Sequence, residues 1–233
     1  MRGSWRADGL CLLILLGMAV AGALAWPHLP ERVPMHWGLT GGPDRYGSRL
    51  EAVLLVPGVT LGVYLLMLLA PRIDPRSANY PRFAGVYAFL RFLFVAFMGA
   101  MQGALLANGL GLEVPVNRVA LVGLGALLVL LGNSLGKVQP NWFVGIRTPW
   151  TLTSTLSWRR THRLGGWLFV MGGLLWLGAG LWGAPLAIYL AVGLSALGLV
   201  GLLAYSYLVW RQDPERGNGP TAGEPRERRA GDA

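Results

Sequence analysis

Residues 164–210 read LGGWLFVMGGLLWLGAGLWGAPLAIYLAVGLSALGLVGLLAYSYLVW, and these 47 positions contain no Asp, Glu, Lys or Arg. A membrane-spanning helix needs about 20 predominantly apolar residues, so the run is too long for one span and suits two. Gly183-Ala184-Pro185 divides it. Working outward, four more charge-free runs cover residues 9–30, 52–71, 92–112 and 119–136, with lengths of 22, 20, 21 and 18. Each is one span. Charged residues make up 13% of the chain, about half the share in an ordinary soluble domain, which excludes a disordered regulator and argues against a soluble enzyme. The sequence therefore predicts an all-α fold, a polytopic membrane bundle of six transmembrane helices near 9–26, 50–70, 85–107, 118–136, 164–182 and 186–209.

The formal net charge of +9 invites a nucleic-acid reading, but its distribution follows the membrane. With both termini cytoplasmic, 15 Lys and Arg lie in the inner segments against four outside, with Arg91 inside the third span. Positive-inside bias favours that orientation, and no direct nucleic-acid partner is called for. Trp5 and Trp210 then fall at inner helix ends, Trp26 and Trp182 at outer ends, where amphipathic rings prefer the headgroups. Residues 1–210 form the membrane domain. Residues 211–233, rich in Arg, acids, Gly and Pro, are expected to be a disordered cytosolic tail. Arg2, Arg6, an apolar run and Ala23-Leu24-Ala25 also fit a cleaved secretory signal. The run is long for a signal, and a retained anchor is the preferred reading. Cys11 is alone, so no disulfide framework exists.

No Asp or Glu falls inside the expected spans, which disfavours a carboxylate-driven transporter. Arg91 is expected either to snorkel to the inner interface or to make a polar contact with residues 137–163. Gln102 shares its helical face and hints at a polar seam. Gly58/Gly62, Gly99/Gly103 and Gly132/Gly136 are small-xxx-small pairs, expected to pack helices within one chain, with a homo-oligomer as the alternative.

Two connections are too long for turns. The outer one, 27–49, is stiffened by four prolines and carries His36, Trp37, Asp44, Arg45 and Tyr46. Rigid aromatics of this kind brace a loop on the helix ends or anchor a binding partner. A metal site of His28, His36 and Asp44 matches no known ligand spacing, and nothing calls for a metal or a cofactor. The inner one, 137–163, carries five basic residues, His162 and four hydroxyls between Thr151 and Thr155, with no acid. Thr153 or Ser154 is expected to cap a helix through 155–164 that groups Arg159, Arg160 and Arg163 at the lipid surface.

The inner residues carry a resemblance. Gly132-Asn133 through Lys137, then Asn141-Trp142-Phe143-Val144-Gly145-Ile146-Arg147-Thr148-Pro149-Trp150-Thr151-Leu152, then Trp158-Arg159-Arg160-Thr161-His162-Arg163-Leu164-Gly165-Gly166 closely resemble the SdpI-type immunity family. The outer segment, Leu29-Pro30 through His36-Trp37 with Gly42, Asp44, Tyr46 and Gly47, resembles the domain that precedes that module in many members. Members often carry Asn where this chain has Gly38, and acids where it has Ser154-Thr155-Leu156-Ser157. The resemblance implies a six-helix, multi-pass protein of the bacterial cell membrane, resistance to a secreted toxic peptide, and capture of a cognate repressor at the membrane. The peptide would meet His36, Trp37, Asp44, Arg45 and Tyr46. The cytoplasmic motif would comprise Asn133, Asn141, Gly145, Arg147, Thr148, Pro149, Trp150, Trp158, His162 and Arg163.

The first reading is thus a non-enzymatic immunity and signalling protein whose partners are membrane lipids, a peptide outside and a repressor inside. The rival is a membrane enzyme or lipid-handling protein that binds phosphate headgroups through Arg147, Arg159, His162 and Arg163. Orientation is testable at once. Reporter fusions at Gly42 and Gly111 should show extracytoplasmic activity and a C-terminal fusion cytoplasmic activity; the reverse at the C-terminus overturns the in–in topology.

Overall fold

In a computed structural model of the chain, residues 2–38 and 41–216 are described. Six helices are long and apolar enough to cross a membrane. They are α1 (Arg2–Ala25), α2 (Arg49–Ile73), α3 (Ala84–Gly109), α4 (Val116–Leu135), α6 (Thr155–Trp182) and α7 (Pro185–Arg211), with the short α5 (Pro149–Thr153) between α4 and α6. The six-helix expectation holds. A difference lies in the first long connection, where β1 (Arg32–Trp37) and β2 (Pro43–Ser48) pair as an antiparallel hairpin. Its sequence hides the strands because β1 contains Pro34, and proline is tolerated only at strand edges and bulges.

The helices form two groups. One comprises α1, α2 and α3, the other α4, α6 and α7, and α3 against α4 is the main helix contact between them. The most extensive interface is α4 on α6. There the glycines recur every seven residues: Gly125 and Gly132 on α4 face Gly173 and Gly166 on α6. A Cβ at Gly132 would stand 2.6 Å from the Gly166 carbonyl oxygen, and one at Gly173 equally close to that of Gly125. Only hydrogen fits, so the two backbones touch, which is how small residues associate helices where lipid removes the hydrophobic drive. The expected four-residue pairs are used differently. Gly132 packs inside the chain as expected and Gly99 meets Ile14 of α1, whereas Gly58, Gly62, Gly103 and Gly136 face open space.

Gly183 ends α6 in the left-handed region (φ +73°), and Pro185 opens α7 at its first turn. Both residues sit where helix-end stereochemistry favours them. At the far end, Ser154 caps α6 by accepting from the Ser157 amide, 2.8 Å away. The capped helix is continuous from Thr155, so the basic turn 155–164 and the expected span 164–182 are one rod. Of the tail, Asp213 is buried and accepts from the Ser154 hydroxyl. That fastens the chain just beyond α7; the remaining expectation of a disordered tail falls on 217–233, outside the described residues.

Arg91 requires a correction. It neither snorkels nor reaches 137–163: it is 4% exposed and pairs with Asp8 of α1. Its guanidinium carbon also lies 5.9 Å from the Tyr64 ring centre and 5.7 Å from that of Tyr87. Helix α1 begins several residues before the charge-free run, which carries Asp8 into the first span, Trp5–His28. The inference that no carboxylate enters a span is overturned with it. A cation within the bundle needs such a partner, because an unpaired one bears the full desolvation cost. Asp8→Ala should therefore cost on the order of 3 kcal/mol and lower the thermal midpoint of the detergent-solubilised protein. Adding Arg91→Leu should restore most of it; a double variant no better than the single one refutes the pairing.

Candidate functional site

The hairpin caps one end of the bundle. Val33 and Met35 point inward and are buried with Ala25, Leu29, Ala52, Val53, Leu105 and Leu106. The pleat sends His36 outward. The register shifts on both sides of His36, which pairs with Arg45. Irregular pairing of this kind re-aims a side chain. His36 Nδ1 lies 2.5 Å from Asp44 Oδ1, Arg45 donates to Glu51 at 2.6 Å, and Arg32 stands over the Tyr46 ring at 5.6 Å. His36, Asp44, Arg45 and Tyr46 are thus brought together on an exposed face. Exposed pairs contribute little stability, so their effect is to orient the face. Trp37 differs. It is half-buried and roofs a cavity of about 250 Å³ lined by Met35, Val56, Met101, Leu105 and Val116. Among the described residues, no group of three His, Cys, Asp or Glu is placed to hold a metal ion.

At the opposite end, residues 137–154 fold into a knot against the α2–α3 connection. Asn141 is fully buried and shapes it. Its Oδ1 accepts from the Phe143 and Val144 amides (2.8 and 2.7 Å), and its Nδ2 donates to the Gln139 and Val144 carbonyls (both 2.9 Å). Every polar valence of one side chain is spent on a turn, as a buried amide requires. Four residues on, Gly145 takes φ +113°, and a Cβ there would lie 2.4 Å from His162 Nε2. Glycine alone meets both demands.

That close approach lets His162 hold the knot. Its Nε2 accepts from the Ile146 amide at 3.0 Å, and its Nδ1 lies 2.8 Å from the Trp158 carbonyl, which can only accept. One nitrogen must carry the proton and the other must not, so the ring is neutral with the proton on Nδ1. Trp158 stacks on it with centroids 4.0 Å apart and donates from its indole to the Val138 carbonyl at 2.9 Å. Thr148 and Thr151 cap α5 reciprocally, and Thr151 also donates to the Ile146 carbonyl at 2.8 Å. Trp150 meets Tyr207 of α7 edge-on. The motif residues left exposed are Asn133, Arg147, Pro149 and Arg163, with Arg159, Arg160 and Trp142 beside them in sequence. Arg147 donates to the Trp142 carbonyl at 2.6 Å.

Sequence reasoning missed the other half of the knot. Asp74 is 3% exposed and accepts from the Tyr80 hydroxyl and the Trp142 amide (2.9 Å each) and from the Arg76 amide (2.7 Å). Asn79 donates to the Pro140 carbonyl at 2.8 Å, and Arg76 to that of Leu152 at 2.5 Å. Burial pulls the Arg76 guanidinium below its ordinary pKa, and the Asp74 carboxylate opposes that shift. The available signal was one acid, Asp74, alone in a segment with Arg72, Arg76 and Arg82.

The two ends coincide with two known sequence families. Residues 137–208 match the SdpI/YfhL protein family, and residues 13–61 match a domain of unknown function, DUF1648. The chain carries an SdpI-type module. That module spans the knot, α5, α6 and nearly all of α7, while DUF1648 spans the second half of α1, the hairpin and the first half of α2. Immunity protein SdpI of Bacillus subtilis is 24% identical over 166 residues, covering 71% of this chain and 77% of that protein. An uncharacterized protein of Archaeoglobus fulgidus is 39% identical over 67 residues, 28% of this chain and 36% of that one. No solved structure matches. Asp74, Asn79 and Tyr80, which complete the SdpI-type knot, lie between the two matched segments.

The knot makes a graded prediction. Gly145→Ala and Asn141→Ala should each cost roughly 2–3 kcal/mol, through strain at positive φ and through orphaned buried amides respectively. Arg147→Ala, whose bond is exposed, should cost under about 1 kcal/mol. Thermal unfolding in detergent, with protease sensitivity of residues 139–147, reads the order; equal losses for all three would refute it.

Proposed function

We propose that this chain is a non-enzymatic membrane immunity protein, protecting the cell that carries it from a secreted toxic peptide. The observation that carries the reading is the likeness to Immunity protein SdpI over 71% of the chain. In this reading the hairpin faces outward and meets the peptide with His36, Asp44, Arg45 and Tyr46, while Trp37 holds the strand over the bundle. The knot faces the cytoplasm. The 15-to-4 division of Lys and Arg supports that orientation. The exposed guanidiniums of Arg147, Arg159, Arg160 and Arg163, with Trp142, form the surface that captures a repressor protein. Guanidiniums beside an exposed indole suit an acidic or aromatic partner surface.

The bonding of His162 supports a binding protein over an enzyme. Both ring nitrogens are engaged with backbone groups, so the imidazole has neither a free proton nor a free lone pair for transfer chemistry. Asn141, Thr148 and Trp158 are likewise buried.

Damage to the two ends should fail differently. Tyr46→Ala removes an exposed aromatic; anchors of that kind commonly carry about 2 kcal/mol, roughly thirtyfold in affinity. It should weaken binding of labelled sporulation-delaying toxin to intact cells without lowering protein abundance. Arg147→Ala should spare that binding and abolish repressor recruitment to membranes. Normally expressed Arg147→Ala protein that lost toxin binding as strongly as Tyr46→Ala would refute this division of labour.

A further inference from the structure

Gln102 of α3 stands out among the buried polar side chains. It is 1% exposed, and its Nε2 donates to the Ala52 carbonyl at 3.1 Å. A carbonyl can only accept, which assigns the amide nitrogen to that side and leaves Oε1 on the other. Among the described residues Oε1 has no hydrogen-bond partner. Buried acceptors are ordinarily satisfied, so an orphan of this kind calls for an explanation.

The same side chain lines a crevice of about 290 Å³ between α1 and α3. Its walls are mostly small, Gly17 and Ala21 from α1 with Gly99, Ala100 and Gly103 from α3, beside the larger Ile14 and Met18 of α1. At Gly17 and Gly103 a Cβ would meet nothing within 4 Å, so the crevice is open where those residues lie. Small residues of this kind let another chain approach closely within a membrane. The crevice also continues the hairpin end. Met101 and Leu105 line the cavity beneath Trp37, and their neighbours Ala100, Gln102 and Gly103 line the crevice.

We infer that this crevice is an intramembrane subsite for an inserted apolar peptide that brings one hydrogen-bond donor, a hydroxyl, amide or indole N–H, to Gln102 Oε1. The inference rests on the peptide-binding reading above and places part of the peptide below the hairpin. A lipid tail brings no donor. A single water has a donor but occupies only about 30 Å³ of the liquid, far less than the space present. A second copy of this chain packed on the same face brings no donor side chain from the crevice other than Gln102 itself, whose Nε2 is already bonded.

The test uses the full chain in lipid nanodiscs and a labelled leucine–alanine transmembrane peptide carrying one serine at the depth of Gln102, beside its twin with alanine there. The serine peptide should bind about fivefold more tightly than the twin, the worth of one net hydrogen bond. Gln102→Met should abolish that preference. Gly17→Leu and Gly103→Leu, which fill open space and leave the amide intact, should weaken both peptides, so a folding defect at Gln102 cannot imitate the result. Equal binding of the twins, or a serine preference that survives Gln102→Met and both glycine variants, overturns the inference. A shift from dimer to monomer in the glycine variants with peptide binding unchanged overturns it too, because the crevice then joins two copies. Resistance in cells reports on the reading above: lost resistance with the serine preference intact leaves the subsite standing, and intact resistance without that preference removes the subsite alone.

Discussion

A chain segment that is neither helix nor strand can sit at the end of a membrane bundle only if the protein itself supplies partners for its backbone. Each unpaired amide or carbonyl away from water costs more than most single side-chain contacts return. The knot at residues 137–154 meets that requirement with side chains of its own, of α6 and of the α2–α3 connection. Asn141 answers its own turn, His162 answers Ile146, Trp158 answers Val138, and Asp74 answers Trp142 from a different connection. What looks in sequence like a motif rich in chemistry is, in its buried part, a scaffold. What that scaffold leaves outside is chiefly guanidiniums and one indole.

The bundle beneath is held by two unlike contacts. Between α4 and α6 the backbones touch through glycine, an association that rests on dispersion and close approach. Among α1, α2 and α3 the tie is polar, with Arg91 on Asp8 between two tyrosines and Gln102 on the Ala52 carbonyl. Both contacts fix register: a slip along the first would drive a Cβ into the facing backbone, and in the second charge and hydrogen-bond geometry allow one alignment. The hairpin is built on the polar-tied half, and the SdpI-type module makes up most of the other.

The number of spans was legible because charge is expensive in lipid and its absence therefore marks each helix. Gly183 and Pro185 gave the last division through ordinary helix-end stereochemistry. The hairpin was hidden, since Pro34 and a run of glycines read as turn and only the inward burial of Val33 and Met35 makes the segment a sheet. The Asp8–Arg91 pair was missed because charge-free runs define the apolar core of a helix and not its ends. The motif residues of the inner site were all legible as a set, but their division into buried and exposed was not. Asn141 turns inward on the path of its own loop, which Asp74 and Asn79 hold from more than sixty residues earlier by bonding Trp142 and Pro140 on either side of it.

Helix α3 runs from the hairpin to the knot. Near one end it carries Met101 and Leu105 beneath the hairpin, and near the other Tyr87, packed on Tyr80 of the knot, with Arg91 one turn further in. At about 1.5 Å per residue its 26 residues make a strut of roughly 39 Å. A helix is stiff along its axis, so a small displacement at the hairpin cannot be absorbed within the strut and arrives at the Tyr80–Asp74 contact as a displacement of similar size. The two faces of the membrane are thereby joined by a single rigid member, with a salt bridge as its lateral bearing.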